Sequence, residues 1–147
     1  MNKPDAVNKL IVEVCILALD NCIEKCQEYI DSCQKFADKC STGDMQECAK
    51  EVGICKKRSR ACLKACQEAI IRSEDYLSES TVPAVIEMVD QAVQYAKACA
   101  ASCRATLAAC DEDAHVCNAV TLEGLEKATR CSHACSRAIT SIKKHNE

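Results

Sequence analysis

Within each stretch of this chain, cysteines recur at intervals of four and seven residues. From Cys15 through Cys22, Cys26 and Cys33 to Cys40 the steps are seven, four, seven and seven. From Cys48 through Cys55 and Cys62 to Cys66 they are seven, seven and four. Cys99, Cys103, Cys110 and Cys117 follow at four, seven and seven, and Cys131 and Cys135 lie four apart. An α-helix turns about 100° per residue, so four steps overshoot one turn by about 40° and seven fall about 20° short of two. Residues so spaced line one face of a helix. The spacing therefore predicts helices that each carry a stripe of sulfur.

Four helical segments accommodate the stripes. The first runs from about Asp5 to Lys39, after Pro4, a residue suited to a helix start. Ser41, Thr42, Gly43 and Asp44 make a turn, with Ser41 and Asp44 at capping-box spacing. The second segment runs from about Asp44 to Leu77 and is broken by Ser78 to Thr81. The third starts near Pro83, and the fourth ends near Lys144. Asp111 to Asp113 read as the turn between them, with Cys117 assignable to either side. Four stripes joined by short loops predict an all-α fold, an antiparallel up-down four-helix bundle with a cysteine-lined core, as one domain over residues 1–147.

Composition agrees. Three Gly and two Pro argue against sheets and long loops. With no Trp and a single Phe, the core must be aliphatic residues and the 15 cysteines. Such a cysteine density in a secreted chain would signal a disulfide scaffold. The start MNKPDAVNKLIVEV lacks the pattern of a signal peptide, and no apolar stretch reaches membrane-spanning length. The expectation is a soluble, cytoplasmic protein with reduced thiols. A net charge of −3 predicts little affinity for nucleic acid or for acidic membranes. The basic run Lys56, Lys57, Arg58 and Arg60 has no interleaved aromatics and reads as a solvated helix face.

The stripes are uneven. Val7, Leu10, Ile11, Val14 and Leu17 open the first segment; Val85, Ile86, Val89 and Ala92 open the third. Ile70 and Ile71 come late in the second, and Ile139 and Ile142 late in the fourth. In an antiparallel bundle these sections meet at one end as a hydrocarbon plug. Sulfur is then concentrated toward the other end, beside the turns containing Met45 and His115. Met45 and His115 are candidate uptake ligands there for a metal ion, since thioether and imidazole both bind transition metals. Cys40, Cys48, Cys110 and Cys117 would be the first core thiols behind them, followed by Cys33 and Cys55.

Four chemistries compete for the thiols. Disulfides within a helix are awkward, because side chains four apart point nearly parallel; bridges between helices require oxidation. Thiol redox catalysis and iron–sulfur clusters usually draw on C-x-x-C, which does not occur here. Zinc prefers closed, separate four-ligand sites, although the C-x₃-C pairs lie within its spacing range. Copper(I) is soft, selects thiolate and accepts few ligands, and a bridging thiolate lets a continuous ladder hold many ions, approaching about one per thiol. A zinc-binding bundle, or a thiol-rich structural one, is the alternative reading.

The C-x₆-C-x₃-C of Cys55, Cys62 and Cys66, and the C-x₃-C-x₆-C-x₆-C of Cys99 to Cys117, resemble the copper storage proteins. The resemblance covers nearly the whole chain. It implies cytosolic storage or buffering of multiple Cu(I) ions on all 15 cysteines and a homotetramer. Copper exchange with a chaperone or small-molecule chelator is a further expectation. The fourth segment departs from the pattern, carrying no cysteine from Thr121 to Arg130.

Remaining residues fit ordinary roles. His133 lies two residues from both Cys131 and Cys135 and so faces away from the stripe; His145 is in the tail. Tyr29 and Phe36, seven apart, suggest packing. Asp111, Glu112 and Asp113 suit helix-end solvation. No catalytic constellation is present, and the expectation is a protein that is not an enzyme.

Overall fold

The computed structural model describes residues 7–41, 43, 45–111 and 114–146; of residues 45 and 114–119 it describes the backbone alone. Four helices make up the fold: α1 (Lys9–Ser41), α2 (Met45–Glu79), α3 (Pro83–Ala109) and α4 (Ala114–His145). The helix pairs in contact are α1/α2, α2/α3, α3/α4 and α4/α1, the cyclic arrangement of a four-helix bundle. No described helix is long and apolar enough to cross a membrane.

The connections are short because their residues stop helices cheaply. Gly43 takes φ of 78° between α1 and α2, a left-handed conformation that costs glycine nothing. Before α3, Val82 is extended and Pro83 occupies the first turn. The Val82 carbonyl accepts from the Val85 and Ile86 amides at 3.1 and 3.0 Å. Between α3 and α4 the turn falls where expected, since α3 ends at Ala109 and the chain is helical again from Ala114. Cys117 accordingly belongs to α4. Ser41 is the last residue of α1, and its hydroxyl donates back to the Asp38 carbonyl at 2.7 Å, where a capping role for the next helix was expected. Asp44, the other half of that expected box, lies outside the described residues.

The hydrocarbon end is real, and Val7, Val85, Val89, Ala92, Ile139 and Ile142, all assigned to it from the sequence, are buried. Val12, Leu19, Val85, Val89, Ile139 and Ile142 are buried there with Tyr76. Asn146 closes it, its amide donating to the Tyr76 hydroxyl at 3.3 Å and to the Ile142 carbonyl at 2.8 Å. Leu10 and Leu17 are each 67% exposed and Ile71 is 53% exposed, so these three are not part of the plug. The reason is angular: Leu17 lies two residues past buried Cys15, about 200° round the helix.

Salt bridges cross the bundle surface. Lys56 pairs with Asp111 in the α3–α4 turn, and Arg58 reaches Glu28 at 3.3 Å. The basic run is thus a solvated face with acidic partners. The Lys56 hydrogen bond also holds the exposed Asp111 carboxyl below its ordinary value.

Candidate metal centre

The thiol column follows from helix register. Between α1 and α2 the sulfur of Cys15 lies 3.8 Å from the Ser73 hydroxyl, Cys22 3.8 Å from Cys66, and Cys26 3.8 Å from Cys62. Cys40 and Cys48 continue the series. One step forward on α1 is matched by one step back on α2, which is an antiparallel pairing of constant register. The other helices join at the same levels: Cys62 meets Cys99 of α3 at 3.7 Å, and Cys22 meets Cys131 of α4 at 3.7 Å. Cys131 and Cys135 are 4.0 Å apart along α4.

Two groups of four sulfurs result. Cys22, Cys26, Cys66 and Cys131 form one; Cys26, Cys62, Cys66 and Cys99 form the other. Within each, all sulfurs lie within 4.8 Å of one another, and all are buried. Tetrahedral coordination at about 2.3 Å per Zn–S bond would need sulfurs about 3.8 Å apart, so the spacing suits a metal ion without rearrangement of the backbone. The groups share Cys26 and Cys66, so they are one continuous cluster and not two closed sites.

Electrostatics in the column are those of sulfur out of water. Burial pushes the Cys15 thiol up to about 11, with the Ser73 hydroxyl opposing and the Asp75 charge adding. Nearer the turns, hydrogen bonds from Cys110 and then Cys33 draw Cys55 down to about 3. Cys33 itself is raised, first through its hydrogen bond with Cys55 and then by burial. Neighbouring thiols thus share their protons unevenly, and a metal that replaces those protons must release them.

A stability prediction follows for Cys15. Its folded value lies above the ordinary 9.0 of an exposed thiol, so the folded state holds the proton more tightly. The corresponding stability is complete below about pH 9 and is lost as pH rises from there through about 11, up to about 3 kcal/mol. Denaturant melts of metal-free protein in reductant should weaken across that range, and Cys15→Ala should flatten the slope. An identical slope in the variant would refute the assignment.

The sequence-predicted ligands divide into three sets. Cys15, Cys22, Cys26, Cys33, Cys55, Cys62, Cys66, Cys99, Cys103, Cys131 and Cys135 are buried thiols outside any disulfide, and Cys110 is a half-buried one. Cys40 and Cys48 are a correction: they are joined by a disulfide, S–S 2.16 Å, and cannot ligate while it stands. The expectation that every cysteine is reduced fails for this pair. The cause is register, which sets the end of α1 against the first turn of α2 with Cα atoms 4.9 Å apart, inside the range a bridge requires. The side chains of Met45, His115 and Cys117 lie outside the described residues. His133 is exposed, as its position two residues from each neighbouring cysteine requires.

Sequence spacing missed one layer of the core. On α1, Cys15, Cys22, Tyr29 and Phe36 share one heptad position, so the sulfur stripe is interrupted by two rings. Tyr29 is fully buried, and its hydroxyl is 2.7 Å from the Thr106 hydroxyl of α3. The ring runs against Gly124 of α4, where a Cβ would overlap the hydroxyl and sit 3.1 Å from Cζ. This explains the cysteine-free stretch from Thr121 to Arg130: a ring from the facing helix occupies that level. Gly124→Ala should therefore destabilise the fold by about 1–3 kcal/mol, the usual cost of overpacking, less the helix propensity alanine adds. Thermal melts of the metal-free protein would measure it, and an unchanged midpoint would show the ring elsewhere. Searches of protein-family models, curated proteins and solved structures give no match to the chain.

Proposed function

We propose that the chain stores or buffers Cu(I), binding many ions on the thiolates of the bundle core, as its resemblance to the cytosolic copper storage proteins implies. The observation that carries the reading is the sharing of Cys26 and Cys66 between the two four-sulfur groups. Zinc favours closed sites, each with its own ligands. Copper(I) is soft and satisfied by few thiolates, and a sulfur that bridges two ions turns adjacent groups into a chain of sites. A column of thiols reaching from Cys15 to Cys110, with the Tyr29 ring set into it, has the form of a reservoir. Its chemistry is ligand exchange.

Titration of the reduced protein with Cu(I) against a competing chelator tests this. The expected result is tight binding of many equivalents, approaching about one per free thiol. Saturation at one or two ions, or tighter and equal binding of Zn(II), would replace the storage reading with the zinc one. Far-UV circular dichroism of metal-free protein should already be helical, because hydrocarbon packing and neutral thiols hold the bundle. A coil spectrum would mean that metal drives folding.

A further inference from the structure

The sulfur column is not continuous along its whole length. The constant α1/α2 register sets Tyr29 opposite Ser59, as it sets Cys26 opposite Cys62 and Cys40 opposite Cys48. Thr106 lies between Cys103 and Cys110 on α3, and Gly124 lies midway between Cys117 and Cys131 on α4. Every helix therefore contributes a residue without sulfur to the same level. Tyr29, Ser59 and Thr106 are all fully buried. The Ser59 hydroxyl is turned back onto its own helix, donating to the Cys55 carbonyl at 2.7 Å, and so leaves the interior to the ring. Tyr29 is anchored across the core by Thr106 and seated on Gly124.

We propose that Tyr29 is an internal gate that separates an outer thiol set, Cys33, Cys55 and Cys110, from the inner set built around Cys26 and Cys66. Cys33 and Cys55 of the outer set lie between two rings, since Phe36 is fully buried one heptad toward the turns, and Cys110 is half-buried beside them. Its thiols interact with one another: Cys55 hydrogen-bonds with Cys110 and Cys33. Cys62, the next thiol inward on α2, hydrogen-bonds instead with Cys103 and Cys26. The far end of the inner set is closed by hydrocarbon and by the Asn146–Tyr76 contact. Anything that reaches the inner thiols from the turns must displace the phenol ring and break the hydroxyl pair with Thr106. The ring offers no thiolate to an ion in transit, so passing it requires a ligand jump between sulfurs on either side.

The gate rests on the storage reading for its purpose but not for its test, which needs no metal. Metal-free reduced protein is treated with iodoacetamide, and each cysteine's labelling rate is read by peptide mass spectrometry. Cys33, Cys55 and Cys110 should label well before Cys26, Cys62 and Cys66. Tyr29→Phe removes the hydroxyl's contacts with Thr106 and with Cys33 and should speed the inner thiols about fivefold, the worth of one hydrogen bond, with the rates of Cys55 and Cys110 unchanged. Tyr29→Ala should speed them further. Unfolding would accelerate both sets together, so the outer thiols report it within the same sample; if Tyr29→Ala unfolds, Tyr29→Phe decides. Inner rates unchanged in Tyr29→Phe, or one common rate in the wild type, would overturn the gate. In stopped-flow Cu(I) uptake the wild type should fill in two phases and Tyr29→Phe should shorten the second, with total equivalents unchanged. No uptake at all beside the expected labelling pattern would remove the storage reading and leave the gate standing.

Discussion

Replacing Cys26 and Cys66 together by serine is expected to remove far more metal than two thiols' share of the capacity. Both residues belong to both four-sulfur groups, and no other described cysteine does. Without them the groups reduce to two separated pairs, Cys22 with Cys131 and Cys62 with Cys99, each 3.7 Å apart. For copper(I), such a pair still satisfies one ion, because two thiolates suffice, but the bridges that join successive ions are gone. Tight Cu(I) equivalents should fall by roughly half, with the remainder binding as independent pairs. Zinc would respond differently: each group would be left with two of its four ligands, and Zn(II) binding by this cluster should be abolished. The control is Cys15→Ser, whose described thiol contact is with Ser73 and which should cost about one ion. Competitive titration of the three proteins gives the answer. Equal losses in the double variant and in two single substitutions at the column's ends would show isolated sites and sink the shared-ligand argument. Serine is close in size to cysteine, so circular dichroism should be unchanged.

The helices, their order and the inward face of each were legible from steps of four and seven, because helical geometry converts spacing directly into angle. What spacing does not encode is the axial offset between helices. That offset, set by the length of each turn, placed Cys40 against Cys48 as a disulfide and Tyr29 at the level of Gly124. Tyr29 and Phe36 were recognised as a packed pair, but which thiols they separate depends on register. Leu10, Leu17 and Ile71 were assigned to the plug by composition alone; counting their angle from Cys15 and the heptads of α2 places them outside. The cysteine-free stretch of α4 was visible in the sequence, and its glycine at the middle heptad was the available signal for a large side chain facing it. Spacing names ligands on each helix, whereas contact across the core decides which act together.

Copper uptake should depend on the redox state of the Cys40–Cys48 bridge. If ions enter at the turns, as the hydrocarbon at the opposite end requires, the first thiols they meet are these two. Charge is costly to carry through a packing of Val, Leu and Ile, so the far end offers no alternative path. While the bridge stands, both thiolates are withdrawn and the end of α1 is tied to the start of α2 across 4.9 Å. Among the described residues, the first available ligands are then half-buried Cys110, and Cys33 and Cys55 behind the buried ring of Phe36. Reduction both frees two thiolates and releases the helix ends, letting Phe36 move. Closing so short a loop, eight residues in separation, contributes about 2–3 kcal/mol to stability, so the bridged protein should also melt higher than the reduced one. Stopped-flow uptake by bridged protein, with the bridge confirmed by mass, should be about tenfold slower than by the same protein after reduction, corresponding to a barrier higher by about 1.4 kcal/mol. Cys40→Ser with Cys48→Ser removes the tether and the ligands together. Because the thiolates receive the ion, this variant should stay slow with or without reductant, while its final occupancy at Cys22, Cys26 and Cys66 matches wild type. Rates equal in bridged and reduced protein, or metal appearing first beside Cys15 and Cys135 in briefly soaked crystals, would put the entrance at the other end of the bundle.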